Sequence, residues 1–473
     1  MNEANEYFCV MIVAKCLAHP IRVVSTLCVL ILTTYNVILT LRFLHLPGCR
    51  DSDQQIRLIP DLPKDTATIP KAPQITTPTC VYQQYQLSDD LTANGEKTAF
   101  SDIDFNTGRW DNQRLYKYFD FAIVGEKFSE LSEQFAVCLA TQSSLERLDS
   151  LVQVADHWTG PISVAVFAAG DDEFQLLQLY VTYLRKCFPA VRENVSFHLA
   201  FPKARLPTIN RWAKHLFRSN ICDRPDIVLK RLVRRRSSET EKWRIKNLYP
   251  QNHLRNLARK GCQSDNVFLT DVDIIPSYNF TENLDKFLRN VKCTKLCAYV
   301  IPTYEIDLRV RFPSSKDDLL RLVKKGLARP FHQKVFIYNQ YATNFSRWQS
   351  DKSIPGKEDE THISHTVTNF EFLYEPFYVA DDKVPPHDER FIGYGFTRNS
   401  QVYEMFVAGY TFKVLSPIFT CHWGLQVKKT RPDWREQQNN ANRKKFDTFK
   451  REILVRYKKD QSKLFPKKTN KNV

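Results

Sequence analysis

This 473-residue sequence lacks any internal repeat, which excludes the solenoids and propellers that stack copies of one unit. It lacks a second close cysteine pair to match Cys293 and Cys297, which speaks against a tetrahedral zinc site. From Pro47 to about Cys80 it has few large apolar side chains, while Pro47, Pro60, Pro63, Pro70, Pro73 and Pro78 stand among Thr, Asp and Lys. Such a composition cannot build a core, so residues 42–99 are expected to form an extended stem.

Core-forming material is plentiful elsewhere. Hydrophobic residues make up 43% and aromatics 12%, enough for one large domain or two ordinary ones. The net charge of +16 suits an anionic partner, whether a nucleotide, an acidic glycan, a membrane surface or nucleic acid, without choosing among them. Residues 23–41 carry no charged side chain over about the length of a bilayer-spanning helix. Arg42 and Phe43 follow, not the small residues of a cleavage site, so the stretch reads as an uncleaved anchor. Lys15 and Arg22 favour a cytosolic tail over residues 1–22, although Arg42 and Arg50 weaken the asymmetry. The remainder would be lumenal, and sequons at Asn194, Asn279 and Asn344 fit that compartment. Nine cysteines from Cys49 onward leave at least one free thiol or an intermolecular bridge, and spacing does not decide their pairing.

Aromatic density rises from Phe100, where folded structure is expected to begin. Residues 160–172 predict a buried strand, residues 173–188 an amphipathic helix, and "NVSFHLAF" a second strand, an order that implies a right-handed crossover and a parallel sheet. A basic region over about 203–248, with "KRLVRRRSSETEKWR" at its centre, reads as an exposed insertion with solvated charges. Residues 249–262 predict a helix ending at Gly261, residues 295–306 one strand, and residues 316–327 a helix. A basic amphipathic helix and a disordered end over 458–473 close the chain.

The most informative stretch is "DNVFLTDVDIIPS", residues 265–277. An apolar run that wants to be a buried strand ends in Asp271 and Asp273, and unpaired carboxylates at a core edge cost several kcal/mol. In an extended strand residues i and i+2 face one side, so the two could converge on a divalent cation off the end of a parallel strand. Carboxylates with phosphate oxygens favour Mg²⁺ or Mn²⁺, and an added imidazole tilts the choice to Mn²⁺.

This pattern resembles the Asp-x-Asp motif of nucleotide-sugar transferases. Taken with "YPQNHLRNLARKG", "QYATNFSRW", "EPFYVADDKVPPHDERFIGYGFTRNSQVYEMFVAGYTFKVL" and "FTCHWG", the chain resembles the β-1,4-glucuronyltransferase family that acts on O-mannosyl glycans of dystroglycan, and the second catalytic domain of LARGE. The resemblance implies an α/β fold of GT-A type, a Rossmann-like mixed sheet flanked by helices, over residues 100–457. It implies an inverting transfer of glucuronic acid from UDP-glucuronate to a xylose-type glycoprotein acceptor, in the Golgi membrane as a single-pass type II protein. Its metal ligands fall on Asp271, Asp273 and His422, with Asp273 the direct ligand and Asp271 also reaching the ribose. A lone His beside Trp423 also fits a hydrogen-bonded core histidine. Arg255 and Asn256 would orient the nucleotide-sugar, although a solvated helix face explains Arg255 and Arg259 equally well. Inversion needs a general base, and Asp388 and Glu389 are the candidates, since no acid follows the Gly393-Tyr394-Gly395 turn. Either acid could instead pair with Arg390 or Arg398. Trp348 and Tyr394 are candidates for stacking on an acceptor sugar.

Two alternatives remain open: transfer of another UDP-sugar, such as xylose or N-acetylglucosamine, and a catalytically silent glycan-binding relative. A nucleic-acid partner rests only on "KRLVRRR" and the basic tail, and the anchor argues against it.

Overall fold

The computed structural model describes residues 33–34, 99–208, 222–352, 360–428 and 432–460. The chain divides into compact units Met1–Asp89 and Asp90–Val473, and the second holds nearly all the described residues. The expected tail, stem and nearly all of the anchor lie outside the described residues, as does the chain beyond residue 460. No helix among the described residues is long and apolar enough to cross a membrane.

Ten strands form the main sheet, in the spatial order Arg109–Trp110, Tyr116–Ile123, Val195–Pro202, Ile162–Phe167, Val137–Ser144, Asn266–Leu269, Phe377–Asp381, Cys297–Ile301, Thr411–Ser416 and His362–Thr366. The four from Val195–Pro202 to Asn266–Leu269 run parallel to one another. Phe377–Asp381 then runs antiparallel to both its neighbours, which makes the sheet mixed. The parallel strands are buried almost throughout because helices cover both faces. Val164, Val166, Leu199 and Phe201 pack on one face with Phe174 and Leu177 of the helix Gly170–Cys187. Ala140, Ala165 and Ala200 alternate onto the other, where their small side chains admit Leu254, Leu257 and Ala258 of the helix Gln251–Gly261. Gly261 is the last residue of that helix, and only glycine fits there because a Cβ would lie 2.1 Å from His198 Nε2. Both helices, and the strand pair around the first of them, match the sequence reading.

Three expectations need correction. Residues 295–306 form two strands, not one: Cys297–Ile301 joins the main sheet, and after Pro302 the strand Thr303–Ile306 joins a second sheet ordered Ala328–Pro330, Thr303–Ile306, Thr420–Trp423, Ile275–Pro276. The basic region is not merely solvated. Arg236, between its helices Pro225–Val233 and Ser238–Lys246, and Arg244, within the second, reach the wholly buried carboxylate of Glu173 at 2.8 and 2.6 Å. Trp348 is a core residue, fully buried with its indole N–H donating to the Leu415 carbonyl at 2.8 Å, so it cannot stack on a sugar.

Disulfides join Cys138 to Cys262, Cys187 to Cys222 and Cys293 to Cys297, and Cys421 is free and buried.

Candidate active site

The strand Asn266–Leu269 stops where the apolar run stops, and Thr270 N–H still donates to Ala140 O at 3.0 Å. The chain then turns, with Ile274 N–H donating to Asp271 O at 3.0 Å. Asp271 and Asp273 therefore flank a turn and do not share one face of an extended strand, which corrects the pleat argument. The consequence is that the two carboxylates have different surroundings.

Asp271 faces two buried arginines. Its Oδ1 accepts from Arg398 Nη2 at 2.6 Å and from Arg255 Nη2 at 3.4 Å, and both guanidiniums are 5% exposed. Burial pushes the Asp271 carboxyl up, but the two arginines outweigh it and hold it below the usual carboxylate range. Burial, joined by the charge of Arg398, pulls the Arg255 guanidinium down to about 10. Arg398 also lies over the Phe377 ring, 4.4 Å from its centroid.

Asp273 faces the cleft. Its Oδ2 lies 3.5 Å from His422 Nε2 and 3.8 Å from Arg147 Nη1. Sheet pairing brings His422 there, because Thr420–Trp423 runs antiparallel to Ile275–Pro276, just beyond Asp273, with Cys421 opposite Ile275. The His422 ring packs 5.6 Å from Phe331, and its Nδ1 is buried without a hydrogen-bond partner among the described residues. A carboxylate oxygen and an imidazole nitrogen set too far apart for a hydrogen bond are donors that fit a divalent ion, and the nitrogen suits Mn²⁺ better than Mg²⁺, whereas the third expected ligand, Asp271, does not converge with them within 4.8 Å.

Three cleft residues escaped the sequence reading. Arg398 was considered only as a partner for Asp388 or Glu389, but it pairs with Asp271. Burial pushes the Glu375 carboxyl up to about 7 against the pull of Arg398 and Arg255, and its Oε2 accepts from Asn339 Nδ2 at 2.9 Å. His332, stacked on Phe331 at 3.9 Å, is drawn down to about 4 by burial and then by His422. No local pattern marks the last two, since their meaning comes from neighbours far along the chain.

The remaining predicted residues are dispersed around the same helix. Asn256 faces the loop after Phe377–Asp381, donating to His387 O at 2.8 Å and Glu389 Oε1 at 3.0 Å while accepting from His387 N–H at 2.9 Å. Asp388 pairs with Arg390 at 2.6 Å, and Arg390 also holds Glu452. Glu389 lies 3.8 Å from His253. Arg259 is not a solvated arginine, because it pairs with Asp382 at 2.8 Å and donates to Val384 O and Pro385 O. Tyr394 is half-buried under Arg435, whose guanidinium lies 4.0 Å from its ring.

A family profile described as "Glycosyl-transferase for dystroglycan" matches residues 136–458. Beta-1,4-glucuronyltransferase 1 of Bos taurus is 36% identical over 327 residues, covering 68% of this chain and 76% of that protein. The Homo sapiens protein of the same name is 34% identical over 325 residues with the same coverage. Xylosyl- and glucuronyltransferase LARGE1 of Mus musculus is 25% identical over 321 residues, 67% of this chain and 34% of that protein. Among solved structures, GalNAc-T7 with UDP, GalNAc and Mn²⁺ aligns over 70% of this chain and 55% of that one at 7% identity and a TM-score of 0.37.

Proposed function

The chain belongs to this family of glycosyltransferases, and on that premise we propose that it moves glucuronic acid from UDP-glucuronate, with inversion, onto a xylose-type acceptor in an O-mannosyl glycan of a glycoprotein. The fold on this reading is of GT-A type, and the uncharged stretch 23–41 supports a type II placement in the Golgi membrane.

The observation that carries the reading is the cleft itself. Asp273 and His422 stand 3.5 Å apart beside an Asp271 that two buried arginines hold in place. Asp273 and His422 would hold Mn²⁺ or Mg²⁺, which when bound supplies positive charge to the departing diphosphate, with Asp271 held two residues away by its arginines. The chain's own residues do the rest. Arg255 and Arg398 fix Asp271 from behind, so its position does not drift as the donor enters. Arg147, 68% exposed at the rim, supplies a mobile cation for the phosphates. Asp388 and Glu375 are the carboxylates to test for taking the acceptor hydroxyl proton. Asp388 is engaged by Arg390 and Glu389 by Asn256, while Glu375 lies on the Asp271 side of the cluster.

The deciding experiment incubates the purified chain with Mn²⁺ and a panel of UDP-sugars and measures UDP release with and without a xyloside acceptor. Acceptor-dependent release from UDP-glucuronate alone is expected. Release from UDP-xylose or UDP-N-acetylglucosamine in its place would refute the donor assignment.

A further inference from the structure

Outside the Asp273–His422 pair, a second set of metal-ligating atoms converges. Asp111, His253 and Glu389 each offer one atom, and all three lie within 4.8 Å of one another. They come from distant parts of the chain: the turn after the strand Arg109–Trp110, the helix Gln251–Gly261, and the loop after Phe377–Asp381. His253 Nε2 is 3.7 Å from Asp111 Oδ2 and 3.8 Å from Glu389 Oε2.

The imidazole of His253 is wholly buried, and neither of its nitrogens has a hydrogen-bond partner among the described residues. Leaving a buried polar atom unpaired costs about 1–3 kcal/mol. Contact with the Tyr116 ring at 4.7 Å supplies packing but no polar partner. The two carboxylates bring negative charge that only neutral N–H donors meet, because among the described residues the ion pairs of Asp111 and Glu389 run to His253 alone.

The separations are too long for hydrogen bonds. They are close to the roughly 3.4 Å between donor atoms that each lie about 2.0–2.1 Å from one tetrahedral ion. The outer contacts are those that orient ligands. Asp111 Oδ1 accepts from the backbone N–H groups of Leu115 and Tyr116 at 2.6 and 2.7 Å, and its Oδ2 accepts from Gln113 N–H at 3.1 Å. Glu389 is fixed through its other oxygen by Asn256. Glu389 is 22% exposed while the other two side chains are fully buried, so one side opens to solvent for entry and for a water ligand.

We propose that Asp111, His253 and Glu389 bind a divalent transition-metal ion, zinc by preference, at a site separate from the donor cleft. One nitrogen and two oxygen donors around an open fourth position suit zinc, which also outranks manganese in affinity for such donors. Glu389 precedes Arg398 in the same loop, so the ion braces that loop against the helix bearing Arg255 and keeps Arg398 on Asp271.

The test reads metal binding, not turnover, and so is independent of the donor assignment. The full chain carrying Asp273→Asn, which weakens the cleft pair, is stripped with chelator and titrated with Zn²⁺, with Co²⁺ as a visible-absorption probe. One tightly bound equivalent and ligand-field bands are expected. His253→Gln in that background should weaken binding by at least about 100-fold, and Glu389→Gln, at the exposed edge where folding is not at stake, by at least about 10-fold. Absence of tight binding by the Asp273→Asn chain would overturn the proposal, as would unchanged affinity in Glu389→Gln.

Discussion

The turn between Asp271 and Asp273 predicts that two substitutions with one catalytic outcome have different costs in stability. Asp271→Asn removes the only carboxylate among the described residues that forms an ion pair with both Arg255 and Arg398, whose side chains are 5% exposed. Breaking a buried ion pair from one side costs about 3–5 kcal/mol because the other charge is stranded. Asp271 itself is 33% exposed, and an asparagine oxygen can still accept from Arg398, so the expected cost is about 2 kcal/mol. Asp273→Asn loses only contacts of 3.5 and 3.8 Å at a cleft wall, and pairs that long, from a side chain 29% exposed, are worth about 0–1 kcal/mol. Both variants should lose transfer activity.

Urea unfolding of both variants and the parent chain in chelator, where no bound ion adds stability, measures the difference. The sign of its pH dependence follows from the direction of the Asp271 shift. Because the folded carboxyl is held below its unfolded value, its contribution is complete above about pH 4 and is lost as pH falls through the folded value. The gap between parent and Asp271→Asn should therefore be flat near pH 7 and close on acidification. Equal destabilisation by the two variants, or an Asp271→Asn variant within about 0.5 kcal/mol of the parent, would refute the division of roles between the aspartates.

Two further outcomes follow from the same contacts. Trp348→Ala should cost about 3–5 kcal/mol with an unchanged acceptor KM in initial-rate assays, whereas a raised KM would return the indole to the acceptor site. Burial raises the Glu375 carboxyl from 4.5 to about 7, so the folded chain holds a proton that the unfolded chain has released and stability falls as pH rises through that window. The full span is worth about 3 kcal/mol and partial exposure reduces it to about 2, which Glu375→Gln should abolish when unfolding is compared at pH 4.5 and 8, and equal slopes would contradict it.

The parts of the fold legible in the sequence are those whose causes are local. The strand Ile162–Phe167, the helix Gly170–Cys187, the helix ending at Gly261 and the strand Asn266–Leu269 each follow from a run, a period or a stop signal within a few residues. What was misread depends on partners elsewhere. Nothing within residues 295–306 says that the strands on either side of Pro302 join different sheets, because the separating cause is the strand Thr420–Trp423, which pairs with the second half alone. Arg236 and Arg244 look solvated until the buried Glu173 is in view. The two aspartates obey strand periodicity on paper, and the turn closed by Ile274 breaks it.

The juxtaposition of Asp273 and His422 is a matter of register more than of motif. Thr420–Trp423 is fixed between Thr303–Ile306, with His422 opposite Glu305, and Ile275–Pro276, with Thr420 opposite Pro276. Side chains in a strand alternate faces, so a slip of one residue would turn His422 away from Asp273 and present Cys421 or Trp423 in its place. The register is pinned beyond the ladder itself. Thr303 and Thr420 share a hydroxyl hydrogen bond of 2.8 Å in the buried interior, and Ser277 N–H donates to Phe419 O at 3.0 Å. Glu305, wholly buried, holds Arg329 at 2.9 Å while accepting from the backbone N–H groups of His332 and Gln426 at 2.8 and 3.0 Å. That single carboxylate ties the segment bearing His332 and the segment following His422 to one strand. The geometry of the cleft is therefore set by buried polar pairs outside the Asp-x-Asp sequence, and a motif search centred on residues 271–273 has no access to them.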